Sequence, residues 1–421
     1  MTSTESNLIP ARNIFTFKPW HIIVVSLLLF SIGFAIENYS AYAPRYAVVV
    51  PSILLLFIIT AEVANIDIKR LSANTRCLGI ILPFIMLIIG TIIGIYNLDD
   101  TFPLYFVGDF YVIAQFIIIG LIFSLKNIQN YADKIFWGYF AAMIITSMAE
   151  LYFSYTKHLV AANRFIPFDI LFVITCAWFA FYHLRFFPFI VLIGLLISYA
   201  MSGMRLGFGL SVLMTCFVIF ASRNKIYFVN KEVIIGIIIV VILAVAAWLN
   251  VSKITSLRTI VRIKGTFQKK DYELVGVNSR FREAKNVISQ QMNNPVFNII
   301  FGNGHGALYK GYVAWDLAVN LTDKGTHTIH MTPVTFFFRY GLLGLTWYLL
   351  VFFYAILKAK RIILLRKHEV VNDCMAISNL YLCSMLLSSI IGQNNFIYMD
   401  IPIMLYLAAS YERIERDNFK G

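Results

Sequence analysis

Apolar residues run along this chain in long unbroken stretches separated by short polar segments. A helix needs about 17–25 such residues to cross a hydrocarbon core about 30 Å thick. Runs of this kind fall at 21–37, 46–62, 78–96, 104–125, 135–153, 168–184, 186–201, 206–221, 233–249, 330–357, 374–392 and 396–411. Each is continuously apolar, whereas barrel strands would alternate in character over about ten residues. The pattern predicts an all-α polytopic membrane protein with about twelve transmembrane helices. Its organisation is an N-terminal block of about nine spans (1–249), one large loop between helices 9 and 10 (250–329), and a C-terminal block of about three spans with a short tail (330–421).

Composition agrees with that reading. Of 421 residues, 59% are hydrophobic and only 14% charged. A soluble protein carries about 25% charged residues to coat its surface, so lipid is the expected outer solvent here. Lys and Arg set the orientation. With the N-terminus inside, the inner segments carry Lys69, Arg70, Arg76, Arg223, Lys225, Lys231, Lys358, Lys360, Arg361, Arg366, Lys367, Arg413 and Arg416, among others. The short outer loops carry only Arg45, Lys157, Arg164 and Arg205. This asymmetry is what the positive-inside rule predicts, and it puts both termini in the cytoplasm. Most of the +13 net charge follows from this topology. No nucleic-acid motif accompanies it.

The first apolar run precedes Ala41-Tyr42-Ala43, which resembles a signal cleavage site, but the run is long for a signal peptide and is expected to be retained. The cysteines (Cys77, Cys176, Cys216, Cys374, Cys383) lie in spans or at their inner edges. None lies in the loop, and none has metal-ligand spacing, so neither a loop disulfide nor a metal site is expected.

The loop reads as an ordered extracytoplasmic cap. Ile254, Leu257 and Val261 share one helical face, with Arg258 and Arg262 on another, a pattern that suits the surface of an anionic membrane. A second helical pattern places Phe281, Ala284, Val287, Ile288 and Met292 at spacings of three and four, so these residues are expected to pack on something apolar. Its opposite side offers Arg280 and Glu283, with Arg282 near them. Pro295 ends this helix. A glycine-rich turn follows, Gly302-Asn303-Gly304-His305-Gly306, whose backbone N–H groups could cradle a phosphate. The loop closes at His327 and His330.

Several residues here could carry chemistry. Arg205, in Ser202-Gly203-Met204-Arg205, sits at an outer helix boundary, where it either snorkels or grips an anionic head group. Arg280 opens a helix whose dipole it opposes, so a bound phosphate or the neighbouring Glu283 should compensate it. His330 could act as a general base, with His327 about one turn before it. Arg339 lies inside an apolar run and requires a partner, with Glu150, Asp109 and Asp400 as candidates. No Asp-x-Asp pair occurs, so a metal-dependent sugar-nucleotide transferase is poorly supported and no cofactor is expected.

In their order these features resemble the O-antigen ligase and O-antigen polymerase family of bacterial envelope proteins. The resemblance rests on Ser202 to Arg205, the long outer loop with Arg280, Pro295 and the glycines after it, then His330-Met331-Thr332-Pro333 and Tyr340-Gly341-Leu342-Leu343-Gly344. It covers residues 198–210 and 278–346 and the span count. The chain departs from the ligases in having Gly203 and Met204 before Arg205, and Met331 after the histidine.

The resemblance implies a metal-independent glycosyl transferase in the bacterial inner membrane. Its donor would be a glycan on undecaprenyl diphosphate, and its acceptor a second lipid-linked repeat (polymerase) or lipid A–core (ligase). Membrane lipids and a chain-length regulator are the further partners it implies, and nucleic acid is not one. Catalytic roles would fall to His330, Arg280 and Arg205. Substrate contacts would fall to Arg258, Arg262, Arg282, Glu283, Gly304, His327 and Arg339. A lipid-linked oligosaccharide flippase or other transporter is the competing reading, and a structural subunit of an envelope assembly is a third.

Overall fold

The structure, a computed structural model, describes residues 65–97, 103–125, 131–139, 277–310, 325–327, 329–365, 373–391 and 400–418, with His21, Val25 and Ala141. The expected spans 46–62, 168–184, 186–201, 206–221 and 233–249 lie outside the described residues, as do Arg205, Arg258, Arg262 and all of 21–37 but His21 and Val25. The described part is helical and contains no strand, only the paired residues Tyr309 and Thr326 and the pair Ile66 and Leu125.

Helix α1 (Leu82–Tyr96) continues out of a short turn, Ala73–Arg76, and a π-turn, Cys77–Ile81. Ser72 starts this stretch by accepting from the Thr75 N–H (3.2 Å), the usual role of a serine at a helix entry. Helix α2 (Pro103–Phe123) has a proline at its first position, where the missing N–H costs nothing. Then come α3 (Val277–Met292), α4 (Val296–Phe301), α5 (Thr332–Leu365), α6 (Asp373–Ile391) and α7 (Asp400–Asn418). Among the described residues, three helical stretches are long and apolar enough to cross a membrane: Ala73–Tyr96, Tyr105–Phe123 and Thr332–Lys360. They coincide with the apolar runs at 78–96, 104–125 and 330–357. The described residues of the runs at 374–392 and 396–411 are also helical, in α6 and α7.

The core of this bundle is aromatic. Phe116 and Phe336 each meet Trp347 at 5.0 Å, and Trp347 donates its indole N–H to the Leu78 carbonyl within the π-turn (2.7 Å). Tyr406 of α7 enters beside Gly79 and Gly120 and donates to the Phe116 carbonyl (2.9 Å). A Cβ on Gly120 would stand 2.3 Å from the Tyr406 hydroxyl oxygen, so small residues let the helices close around this ring. Outward sides remain apolar: Phe84, Ile88, Ile92 and Ile95 on α1, and Leu349, Leu350, Phe353 and Leu357 on α5, are all exposed. In water such faces would be a liability; a membrane covers them.

One feature of α5 differs from the sequence expectation of an uninterrupted span from residue 330. Gly341 has φ 63° and ψ −153°, so a short leading segment, Thr332 to Tyr340, is set off from the long apolar helix that follows. The break strands backbone carbonyls at Phe338 and Arg339, which need donors if buried. The glycine turn after α4 supplies them. Asn303 N–H donates to the Phe338 carbonyl (3.0 Å) and Gly304 N–H to that of Arg339 (2.9 Å). The turn also lies against the C-terminal part of α1, where His305 N–H donates to the Gly90 carbonyl (3.0 Å). The C-terminal end of α1, the N-terminal end of α2 and the break in α5 thus meet at one end of the bundle.

A second, smaller core caps that end. Ala284 and Val287 of α3 pack with Ala307, Tyr309, Ile329, Met331, Val334 and Phe338. The buried side of α3 coincides only in part with the one its apolar spacing indicates. Glu283, Ala284, Val287 and Gln291 face inward, whereas Phe281, Ile288 and Met292 are exposed. The helix is turned so that a carboxylate, not a phenylalanine, enters the cap. Compensation of that carboxylate is the reason.

Candidate functional site

Glu283 is fully buried, yet both of its oxygens are satisfied. Tyr309 donates its hydroxyl to Oε1 (2.5 Å). Oε2 accepts the backbone N–H of His330 (3.1 Å) and lies 2.9 Å from Nδ1 of the same residue. A carboxylate is an acceptor only, so Nδ1 carries a proton in this contact, and in the neutral form of the ring the lone pair is on Nε2. That is the tautomer and orientation of a general base steadied by a carboxylate. His330 is itself buried at 2% exposure, in surroundings where such a pair is electrostatically strong.

Arg280 precedes Glu283 by three residues on α3 and so shares its side of the helix. It is half-buried. Arg282, next to Glu283 in the chain, is exposed. Glu283 and His330 are thus brought together, with Arg280 one helical turn before Glu283 on α3.

A second polar cluster lies where the loop meets the membrane helices. Arg339 places Nη1 2.6 Å from Asp109 Oδ1. Of the three acidic partners considered for Arg339, the described residues supply Asp109. His327 brings Nε2 to 3.1 Å from Asp109 Oδ2 and 2.8 Å from Arg339 Nη2, and its carbonyl accepts from the same Nη2 (3.0 Å). Gly306 N–H also donates to Asp109 Oδ2 (2.8 Å). Tyr105 of α2 stacks on the His327 ring at 4.3 Å and 3°. A buried arginine in a membrane bundle requires such pairing. Asp109 thereby ties α2 to three points in the loop and α5: Gly306, His327 and Arg339.

His305 fills the space between these elements. Its Nε2 lies 3.4 Å from the Leu87 carbonyl, and Tyr340 Oη lies 3.1 Å from Nδ1. The arrangement suits a neutral ring that donates from Nε2 and accepts at Nδ1. Burial pushes its pKa down to about 4, outweighing the opposing pull of Asp109.

The glycine turn does not act as a phosphate cradle. Its amides from Gly302 to Gly306 donate to the carbonyls of Asn298, Phe338, Arg339 and Gly90 and to Asp109. Gly304 is needed for space and conformation instead: φ is 83°, and a Cβ would lie 2.4 Å from the Gly94 nitrogen. Four amide side chains brace the turn. Asn303 Oδ1 accepts from Asn294 and Asn298 (3.1 Å each), and Asn303 Nδ2 donates to Gln291 Oε1 (2.6 Å).

Sequence reasoning missed Tyr309, His305, Tyr105 and this amide cluster. The only signal for the last was a local density of Asn and Gln between 290 and 303. Among the described residues, no group of three or more His, Cys, Asp or Glu side chains is placed to hold a metal ion. Compared with known proteins, the chain matches no family model, and no curated protein is similar to it.

Proposed function

We propose that this chain is a polytopic inner-membrane enzyme that transfers a glycan from undecaprenyl diphosphate on the extracytoplasmic side, most simply as a polymerase of O-antigen-type repeats. In this reading the chain has about twelve spans, both termini are cytoplasmic, and the segment 250–329 is the outer cap. The observation that carries it is the buried contact of His330 with Glu283 at 2.9 Å, Glu283 lying on the cap helix α3 that also bears Arg280.

The chemistry follows from that arrangement. An acceptor hydroxyl attacks the anomeric carbon of the donor sugar while the bond from that carbon to the diphosphate oxygen breaks. The hydroxyl proton passes to Nε2 of His330, and Glu283 stabilises the resulting imidazolium. Arg280, with Arg205, neutralises the departing diphosphate. Arg258, Arg262 and the exposed Arg282 draw the anionic carrier to the membrane rim. No metal is required in this scheme because guanidinium groups take its electrostatic role.

The test is the banding pattern of envelope lipopolysaccharide from cells lacking the chain, complemented with wild type or Arg280→Ala. Loss of the ladder with a single repeat still attached to the core supports a polymerase. Loss of every attached repeat, with long chains left on the lipid carrier, indicates a ligase. An unchanged pattern rejects both.

A transporter of lipid-linked oligosaccharide is the second reading, favoured by the Asp109–His327–Arg339 cluster beside the membrane helices. Ionisable groups at such positions commonly mark translocation or proton paths. That reading predicts accumulation of lipid-linked repeats on the cytoplasmic face when the chain is removed.

A further inference from the structure

Helices α3 and α4 carry a continuous apolar strip that nothing in the described protein covers. Phe281, Ile288 and Met292 recur at i, i+7 and i+11, which align on one side of a 3.6-residue helix. They are 51%, 40% and 56% exposed. Across Pro295, α4 extends the strip with Val296, Phe297 and Ile300, of which Val296 is 70% exposed. Facing water, this would be an unusually large apolar patch.

Its level in the molecule identifies the occupant. A Cβ on Gly341 would lie 2.3 Å from the Ile300 carbonyl carbon, so α4 ends against the point where the long apolar part of α5 begins. The next residue on α5, Leu342, is 46% exposed, and the apolar outer face of that helix continues through Leu349, Leu350 and Phe353. On the other side, Asn97 at the end of α1 donates its side-chain amide to the Asn303 carbonyl (3.3 Å). The strip is therefore continuous with faces that a membrane must cover. Lys285 falls within the same row and Arg282 beside it, both exposed, where cations meet lipid phosphates while their stems lie along apolar surface.

We propose that α3 and α4 form a membrane-interfacial element whose apolar strip is immersed in phospholipid acyl chains, with Lys285 and Arg282 at the head-group level. The cap is then seated in the leaflet beside the bundle and does not stand above it in water. This holds whatever reaction the chain performs.

The test uses full-length protein in liposomes of bacterial polar lipid, with its native cysteines replaced. Nitroxide labels are placed at Val296→Cys, Met292→Cys and, on the polar side, Ser289→Cys. Collision with oxygen, which concentrates in lipid, and with a water-soluble nickel chelate is then measured. Immersion gives an oxygen-to-nickel ratio several-fold higher at 296 and 292 than at 289. Equal nickel access at the three positions overturns the proposal by placing the strip in water. Low access to both reagents, with spin coupling between molecules, overturns it by placing a second copy of the chain there. If the cysteine-free protein does not fold, Phe297→Trp in the otherwise wild-type chain gives the same reading. Brominated lipids must then quench the added fluorescence for the proposal to stand.

Discussion

Oε2 of Glu283 lies 2.9 Å from Nδ1 of His330, two residues 47 positions apart that meet in the interior of the cap. Neither would be stable there alone. A buried carboxylate without donors is expensive, and an imidazole without an acceptor at Nδ1 has no fixed tautomer. Tyr309 completes the arrangement by occupying the other carboxylate oxygen. The pair is thus a structural unit of the cap and, in the proposed transfer, its proton-handling centre.

Glu283→Gln keeps the shape of this unit, since a glutamine oxygen can face His330 and its amide can face the Tyr309 oxygen. It removes the charge that stabilises imidazolium. Glycan transfer by the purified variant should fall by about 10²–10⁴-fold while elution as a folded, monodisperse protein is retained. Activity equal to wild type would remove His330 from the role of base. Glu283→Ala, by contrast, strands Tyr309 and His330 and should lower stability by roughly 1–3 kcal/mol for each group left unsatisfied.

The ion pair of Asp109 with Arg339 is buried on both sides, at 2% and 5% side-chain exposure. Deleting one member of such a pair leaves the other uncompensated, at a cost of about 3–5 kcal/mol. Asp109→Ala should therefore sharply lower the melting temperature in detergent. Arg339→Met added to it should recover part of the loss, because the stranded cation is gone. Additive losses in the double variant, measured by heating followed by size-exclusion, would show that the two residues do not act as a pair.

Two glycines in the same part of the molecule should respond in opposite ways. Gly304→Ala places a Cβ against the Gly94 backbone at positive φ and should abolish accumulation of folded protein. Gly108→Ala, on α2 with nothing within 4 Å of its Cβ, should be neutral or stabilising by up to about 1 kcal/mol. Whole-cell fluorescence of a fused reporter, followed by size-exclusion in detergent, separates the two. Equal behaviour would mean the wedge between the turn and α1 is not required.

His305 should make the fold sensitive to acid. Its folded pKa of about 4 lies below the ordinary histidine value of 6.5 because burial disfavours the cation. The unfolded chain therefore binds more protons between those values, so stability is full above about pH 6.5 and declines as pH falls towards 4. The slope contributed by this one residue approaches about 1.4 kcal/mol per pH unit. His305→Gln, which retains a donor for the Leu87 carbonyl, should flatten the profile in that window. A wild-type profile with the same slope as the variant would contradict this.

Much of the architecture is legible from residue type alone. The runs at 78–96, 104–125 and 330–357 announce helices long enough to cross a membrane, because lipid imposes both length and apolarity on any segment that spans it. Gly302 to Gly306 and Pro295 likewise mark a turn and a helix end, since those residues restrict or release the backbone locally. Arg339 could be recognised as needing a partner. Its partner could not be named, since Asp109, Glu150 and Asp400 are equally acidic and sequence carries no distance.

Only the tertiary structure turned α3 so that Glu283 faces inward and Phe281 outward. Helical spacing states which residues share a side, and the apolar rule then assigns that side to the interior. That rule assumes water outside and no partner within. Here Tyr309 and His330 supply partners for the carboxylate, and the exposed strip adjoins faces of a bundle built for lipid. The same cause hid the break at Gly341: its strain is sustained because Asn303 and Gly304 donate to the carbonyls it frees, from a turn distant in sequence. Local chemistry determined the elements of this protein, and the pairing of buried polar groups decided how they face one another.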